Sequence, residues 1–120
     1  MSTVIIIEDD EKSRRLLADV LGHHGYTILQ TDRAEEVVGL LEASHAAVVL
    51  MDIQLPGISG FEALARIRAL PGIAATRVIA VTASAMDLDR KRIMDAGFDG
   101  YVPKPVNLKE LLATVGRMAT

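Results

Sequence analysis

The sequence predicts an α/β domain in which a parallel β-sheet is covered by helices on both faces. Short apolar segments alternate with longer amphipathic segments along the 120 residues, and this alternation repeats five times. The first and third short segments, Val4–Ile7 and Ala46–Met51, are apolar throughout, as is typical of strands buried on both sides. Strands and helices that alternate in this way require parallel pairing and right-handed crossovers, which predicts a doubly wound sheet.

Each predicted strand is followed by a segment that has the spacing or the capping residues of a helix. The apolar residues Ala34, Val37 and Leu41 recur at helical spacing. Two further helices are predicted from capping-box patterns, in which Ser or Asn is followed three residues later by Glu. The predicted strands are Val4–Ile7, Tyr26–Leu29, Ala46–Met51, Val78–Val81 and Tyr101–Val102, and the predicted helices are Glu11–Leu21, the segments that begin near Ala34, Ser59 and Asn107, and about Ala85–Ala96.

The length and composition exclude several classes of protein. With 120 residues, the chain is expected to form one domain, residues 1–120, without a second output domain. It has no cysteine, which excludes a disulfide framework, a thiolate metal site and a cysteine nucleophile. The net charge of −3 argues against direct binding to nucleic acid. No segment has the pattern of a signal peptide or a membrane span, so we expect a soluble, cytoplasmic protein that does not bind a membrane.

Polar side chains follow four of the five predicted strands at the points where those strands end. Because parallel strands finish at the same edge of a sheet, these side chains are predicted to converge, and open α/β sheets bind their ligands at that edge. The converging residues are Glu8, Asp9 and Asp10 after the first strand, Asp52 after the third, Thr82 after the fourth and Lys104 after the fifth. Among them, Asp10 is better explained as the N-cap of the first helix than as a ligand.

This set of side chains indicates phosphoryl transfer beside a divalent metal ion. Clustered carboxylates repel one another unless a cation lies between them, and Mg²⁺ typically binds one or two carboxylates together with a phosphate oxygen. Asp52 is the candidate nucleophile, because a carboxylate can attack phosphorus to give an acyl phosphate. Glu8 and Asp9 are candidates for holding the metal, directly or through water. Lys104 would compensate the charge of the transferred group, and the Thr82 hydroxyl would donate to one of its oxygens.

These residues resemble the receiver domain of bacterial response regulators, and the resemblance covers essentially the whole chain. The segments that match are Ile7–Asp10, Leu50–Pro56 with Gly60, Val81–Ala83 and Lys104–Pro105. The segments Met51–Gly60 and Ala80–Met86 are especially similar to single-domain cell-cycle receivers of the DivK kind, and also to receiver modules of hybrid kinases. Two positions depart from the commonest pattern, because Glu8 stands where many members have Asp and Pro103 precedes Lys104.

The resemblance implies a flavodoxin-like, CheY-like fold with strand order 2-1-3-4-5. It implies that Asp52 accepts a phosphoryl group from a histidine kinase or a histidine phosphotransfer protein. The metal would be Mg²⁺, or Mn²⁺ in its place. The resemblance implies that Asp9, Asp52 and the backbone carbonyl of Gln54 hold the metal, with Glu8 in the outer acidic pair.

The resemblance also implies a switch that connects the phosphoryl group to a distant surface. Thr82 would move toward the phosphoryl group and Tyr101 would rotate into the vacated space, which changes the face formed by the fourth helix, the fifth strand and the fifth helix. A downstream protein partner is expected to bind that face. The Lys104–Pro105 peptide bond would be cis. Gln54 and Ser84 each lie two residues beyond a key group, so we expect them to tune the lifetime of the acyl phosphate.

Two other functions compete with this interpretation. A phosphatase of the haloacid dehalogenase type also uses an Asp nucleophile and Mg²⁺, but it needs a second Asp where this chain has Gln54. A pseudo-receiver would bind partners without phosphorylation, but such domains usually lack one of the acids, the Thr or the Lys, and this chain has all of them. We therefore expect no enzymatic activity beyond the domain's own phosphorylation and dephosphorylation. The basic segment Arg90–Arg92 is interpreted as a solvated helix face, and no function is predicted for Phe61 or Phe98.

Overall fold

Five parallel strands form one sheet in the computed structural model, which describes residues 2–83 and 87–119. The strands are β1 (Thr3–Ile7), β2 (Thr27–Thr31), β3 (Val48–Asp52), β4 (Arg77–Thr82) and β5 (Gly100–Pro103). The helices are α1 (Glu11–His23), α2 (Val37–Ser44), α3 (Gly60–Arg68), α4 (Asp87–Ala96) and α5 (Leu108–Met118), and a 3₁₀ turn (Ala34–Glu36) leads into α2. The strand order is β2-β1-β3-β4-β5, so the predicted doubly wound fold is confirmed.

The sheet is buried on both faces because successive side chains of each strand point to opposite sides. In β1, Ile5 and Ile7 belong to a core cluster with residues of α2, α3 and α4, whereas Val4 and Ile6 belong to a cluster with residues of α1 and α5. All four side chains are at most 1% exposed. Full burial of each such side chain is worth about 1.5–3 kcal/mol, so packing on both faces holds the strands rigidly and fixes where their ends lie.

Three helices begin at the capping residues that the sequence predicts. The side chains of Asp10, Ser59 and Asn107 accept hydrogen bonds from the backbone N–H groups three residues later, and a cap of this kind is worth about 1 kcal/mol. The N-cap role of Asp10 is therefore confirmed. For Ser59 the reciprocal half of the capping box is replaced, because the Glu62 carboxylate accepts from Arg66 on the exposed face of α3 instead.

The second strand begins one residue later and ends two residues later than the predicted strand Tyr26–Leu29. The Tyr26 N–H donates to the carbonyl of Leu21 at 3.2 Å, which makes Tyr26 part of the turn that closes α1. Pairing with β1 then begins at Thr27, opposite Thr3. The apolar pattern missed the far end of β2 because this edge strand continues through polar residues to Thr31.

The third strand also lies later than the prediction of Ala46–Met51, and it includes Asp52. His45 ends α2 in the left-handed conformation, with φ of 53°, so the chain needs Ala46 and Ala47 to enter the sheet. Asp52 pairs in register with Val81 of β4. Its backbone therefore belongs to the sheet and not to the loop that follows. The predicted start of α4 near Ala85 lies outside the described residues. In the part of the chain that the structure describes, no helix has the length and apolar character needed to cross a membrane.

Candidate functional site

An acidic cluster lies at the carboxyl edge of the sheet, at the point where the strand order reverses. Ile7 of β1 pairs with Met51 of β3, so the next residue of each strand, Glu8 and Asp52, lie side by side. Glu8 is 1% exposed and Asp52 is 5% exposed, whereas Asp9 is exposed to solvent. One carboxylate oxygen from each of these three residues lies within 4.8 Å of the other two. The predicted convergence of acids from two strands is therefore present.

The ammonium group of Lys104 lies between the two buried carboxylates. Its Nζ atom is 3.1 and 3.0 Å from the two oxygens of Glu8 and 3.0 Å from Oδ2 of Asp52. The backbone N–H of Lys104 donates to the carbonyl of Thr82 at 2.8 Å, which fixes the residue against the end of β4. The peptide bond between Lys104 and Pro105 is cis. The site thus joins side chains at the carboxyl ends of β1, β3 and β5.

The pKa values of this group reflect its burial and its excess of negative charge. Burial raises the pKa of the Glu8 carboxyl above its ordinary value, and hydrogen bonding to Lys104 opposes this while the charge of Asp52 adds to it. Burial acts to lower the pKa of Lys104, but its hydrogen bonds to Asp52 and Glu8 outweigh that effect and raise the pKa overall. Three carboxylates against one ammonium leave room for a further cation, because like charges at this distance are otherwise costly.

Asp52 is held from a second side by the backbone that follows it. The N–H of Gln54 donates to Oδ1 of Asp52 at 2.9 Å, so both carboxylate oxygens have a donor. Two residues of the loop pack closely behind this contact, because a Cβ at Gly60 would lie 2.6 Å from Cγ2 and 2.8 Å from Cα of Ile53. A side chain at position 60 would therefore push on the residue next to Asp52.

The remaining predicted site residues lie around this centre. Thr82 is fully buried at the end of β4, and it lines a cavity of about 250 Å³ together with Gln54. Tyr101 is half-buried on β5 beside Ala80. Ser84 lies outside the described residues. Glu8, Asp9 and Lys104, which lie beside Asp52, were thus predictable from the sequence because they follow the ends of strands.

Two arginines of the basic segment Arg90–Arg92 contact aromatic rings. Both are exposed, as predicted, but Arg90 lies over the ring of Tyr101 at 5.1 Å and Arg92 lies over the ring of Phe61 at 4.7 Å. Phe61 in turn meets the edge of Phe98, with ring centroids 5.7 Å apart. These contacts were not predictable from the sequence, because the residues lie on different elements that only the fold brings together.

A hard divalent cation fits the acidic cluster. Mg²⁺ and Ca²⁺ take oxygen ligands, and Mg²⁺ in particular binds through one or two carboxylates and keeps several waters. The exposed carboxylate of Asp9 gives access from solvent, while the buried ones of Glu8 and Asp52 are fixed by their neighbours. The excess of carboxylates over ammonium groups points in the same direction.

Comparison with known proteins is consistent with this geometry. Residues 4–116 match the response regulator receiver domain. The polar-differentiation response regulator DivK of Brucella ovis is 34% identical over 113 residues, which span 94% of this chain and 92% of DivK. The similarity to receivers of the DivK kind is therefore confirmed.

Two solved structures have closely similar folds. The receiver domain of the sensor histidine kinase PA1611 of Pseudomonas aeruginosa has a TM-score of 0.90 at 27% identity, covers 98% of this chain and 97% of its own, and has a magnesium ion coordinated in its active site cleft. The chemotaxis protein CheY4 of Vibrio cholerae has a TM-score of 0.90 at 22% identity, with 98% of both chains covered. The chain belongs to the family of response regulator receiver domains, which are signalling switches of two-component systems.

Proposed function

We propose that this domain is a phosphorylation-operated switch in which Asp52 accepts a phosphoryl group from a histidine kinase or a histidine phosphotransfer protein. The main support is the environment of Asp52, whose carboxylate is 5% exposed and accepts hydrogen bonds from the Gln54 N–H and from Lys104. Glu8 and Asp9 lie beside it. A carboxylate oriented in this way is positioned to attack phosphorus without first having to be ordered.

The proposed reaction is a direct displacement at phosphorus. A carboxylate oxygen of Asp52 forms a bond to phosphorus while the bond between phosphorus and the leaving group breaks. With a phosphohistidine donor the ring nitrogen leaves with the electron pair, and with acetyl phosphate the leaving group is acetate. Lys104, at 3.0 Å from Asp52 Oδ2, would stabilise the negative charge of the transferred oxygens. Hydrolysis needs only water, which attacks phosphorus and regenerates the Asp52 carboxylate.

We propose that Mg²⁺, with Mn²⁺ as a substitute, is held by Asp9 and Asp52. Glu8, the other acid of the pair that follows β1, would lie in the outer part of the site, and the backbone carbonyl of Gln54 would be a further ligand. When bound, the ion would neutralise charge on the transferred phosphoryl oxygens. The support is the set of three convergent carboxylates and the magnesium ion in the cleft of the PA1611 receiver domain.

We infer that the phosphodonor protein docks on an apolar groove of about 540 Å³ beside the site. Leu16 and Leu17 of α1 line one wall, Pro105 and Val106 line the other, and Lys104 lies at its edge. Leu16 is 51% exposed, so part of the apolar lining of the groove is open to contact with another protein. An exposed apolar patch of this kind favours a protein surface as the occupant, and it would bring the donor histidine close to Asp52.

The output of the switch is proposed to be a change of the face formed by α4, β5 and α5. Thr82 is buried at the end of β4 and lines a cavity together with Gln54, and its hydroxyl would turn toward a phosphoryl group on Asp52. Tyr101, which lies under Arg90, would follow. We expect Thr82→Ala and Tyr101→Phe to weaken phosphorylation-dependent binding of a downstream protein, measured by pull-down with and without phosphodonor. Unchanged binding in both variants would contradict this part of the proposal.

We further propose that residues 1–120 act as one receiver unit in the cytoplasm. No reaction on another substrate is proposed, because the groups of the site all serve the domain's own aspartate.

Gln54 is exposed beside Asp52, so we expect it to influence the access of water to the acyl phosphate. Ser84 is expected to act in the same way. Both expectations are tested by substituting each residue and timing the loss of the phosphoryl group.

Intact mass spectrometry after incubation with acetyl phosphate tests the central proposal. We expect one phosphoryl adduct that requires both Mg²⁺ and Asp52, so it should be absent from Asp52→Asn and from samples treated with a chelator. Asp19→Asn is the matched control, because Asp19 is an exposed carboxylate on α1. If neither acetyl phosphate nor a phosphorylated histidine protein modifies a folded wild-type domain, the chain is a pseudo-receiver instead.

A further inference from the structure

We propose that Arg14 is a positioning residue of the phosphorylation site and acts through the backbone of Glu8. Its Nη1 atom donates a hydrogen bond to the Glu8 carbonyl at 2.8 Å. Arg14 is half-buried, whereas the adjacent Arg15 is exposed. This inference rests on the proposed function, because a positioning residue matters only if Glu8 and Asp9 take part in binding a metal and in phosphorylation of Asp52.

The Glu8 backbone is the point at which the chain leaves the sheet. The Glu8 N–H still pairs with the carbonyl of Thr31 at 3.1 Å, so β2 holds one side of the residue. Its carbonyl, by contrast, receives the Arg14 side chain from the first turn of α1. Glu8 is therefore held between a strand and a helix, and Arg14 provides the contact from the helix.

The first turn of α1 is itself tightly closed. The side chain of Asp10 accepts from the backbone N–H and the hydroxyl of Ser13, at 3.0 and 2.6 Å. The Asp10 N–H donates to the Glu8 carboxylate at 3.2 Å, and the Arg14 N–H donates to the Asp10 carbonyl at 2.9 Å. The bond from Arg14 back to Glu8 completes a ring of contacts. Asp9 lies between Glu8 and Asp10 in sequence, so its backbone is held on both sides by this ring.

The charge of Arg14 and its hydrogen bond have opposite effects on a bound cation. A guanidinium near three carboxylates would, by Coulomb repulsion alone, weaken the binding of a divalent cation. Holding the backbone of Glu8 and Asp9 in place would strengthen the binding of the cation, since groups that orient metal ligands typically contribute about 10–100-fold to metal affinity. Removing Arg14 therefore separates the two effects by the sign of the change.

The test is the Mg²⁺ dissociation constant, measured by isothermal titration calorimetry and by amide shifts of residues 8–10 and 52–54 in NMR spectra. We expect Arg14→Met to weaken Mg²⁺ binding by about tenfold, in line with the loss of an orienting contact. Arg14→Lys should recover part of the affinity, because it keeps the charge but has a shorter reach and lacks the planar fork. Arg15→Met is the matched control and should bind Mg²⁺ as the wild type does.

Unchanged or tighter Mg²⁺ binding by a folded Arg14→Met domain would overturn the inference, and circular dichroism establishes whether the variant is folded. Should Arg14→Met fail to fold, Arg14→Lys decides, because wild-type affinity in that variant would show that the position of the donor does not matter. The acetyl phosphate reaction of the wild type separates the two proposals. A wild type that neither binds Mg²⁺ nor accepts a phosphoryl group would overturn the proposed function, and this inference with it.

Discussion

At the scale of single residues, Glu8 is both a partner of Lys104 and a buried acid. Its carboxylate reaches Lys104 with both oxygens, at 3.1 and 3.0 Å, while Asp52 uses one oxygen at 3.0 Å. Glu8 is also almost fully buried, so its charge is poorly solvated and its pKa is raised. The longer side chain thus gives Lys104 a second anionic partner, and it places an ionisable group where ionisation is disfavoured.

The raised pKa of Glu8 predicts a pH dependence of stability. Because the folded-state pKa exceeds the ordinary value of 4.5, the folded state holds this proton more tightly than the unfolded state, and stability falls as pH rises from below 4.5 through the folded-state pKa. Without metal, the free energy of unfolding should therefore fall less steeply for Glu8→Gln than for the wild type as the pH rises above 4.5. Urea unfolding at several pH values in the presence of a chelator measures this.

Glu42→Gln is the control for that experiment, because Glu42 is exposed on α2. Its curve should run parallel to that of the wild type. If the Glu8→Gln curve also runs parallel to the wild type, the raised pKa of Glu8 is wrong.

Several site residues were predictable from the sequence because their positions follow from strand ends alone. Glu8 and Asp52 follow β-branched apolar segments whose register is fixed by burial on both faces. Arg14 was not predictable, since nothing in the sequence separates it from Arg15 and only the turn after β1 brings it to the Glu8 carbonyl. Residues that act through tertiary contacts leave no local pattern.

At the scale of elements, the loop between β3 and α3 depends on the absence of a side chain at Gly60. An added Cβ would come within 2.6 Å of Cγ2 and 2.8 Å of Cα of Ile53. The contact with Cα cannot be relieved by rotating a side chain, so the backbone next to Asp52 would have to move. We expect Gly60→Ala to cost about 1–3 kcal/mol of stability and to slow phosphorylation of Asp52 by acetyl phosphate.

Gly72→Ala is the matched control for this prediction, because a Cβ added at Gly72 would have no atom of residues 2–83 or 87–119 within 4 Å. It should leave both the urea midpoint and the phosphorylation rate close to those of the wild type. Equal rates for Gly60→Ala and Gly72→Ala would mean that the loop accommodates a methyl group without moving Asp52.

The element boundaries show where sequence patterns stop being informative. The order and type of all five strands follow from the apolar segments, but β2 and β3 begin later than their apolar residues suggest. Before β2, Tyr26 belongs to the turn that closes α1, as its N–H bond to Leu21 shows. Before β3, the chain passes through left-handed His45 and then Ala46 and Ala47 before it pairs. A local pattern identifies residues that are buried, but it does not identify which of them pair in the sheet.

At the scale of the whole molecule, the two ends of the sheet have different tasks. The carboxyl edge holds the acidic cluster, and the opposite edge is tied together by Arg68 at the end of α3. Its guanidinium donates to the carbonyls of Ala74 at 2.9 Å and Gly97 at 3.0 Å, and to Oδ2 of Asp99 at 2.8 Å. The same Asp99 oxygen accepts from the Val78 N–H at 2.8 Å. One side chain thus connects α3, the start of β4 and the segment between α4 and β5.

This separation predicts that stability and phosphorylation can be changed independently. We expect Arg68→Met to lower the free energy of unfolding by about 2–4 kcal/mol, because it leaves several partly buried acceptors without their charged donor. Arg66→Met should cost no more than about 0.5 kcal/mol, since the ion pair of Arg66 among the described residues is an exposed one with Glu62. Both variants, assayed where they are folded, should accept a phosphoryl group from acetyl phosphate at the wild-type rate. A slower reaction in folded Arg68→Met would show instead that the two edges of the sheet are coupled, and that the contacts around Asp99 help to set the geometry around Asp52.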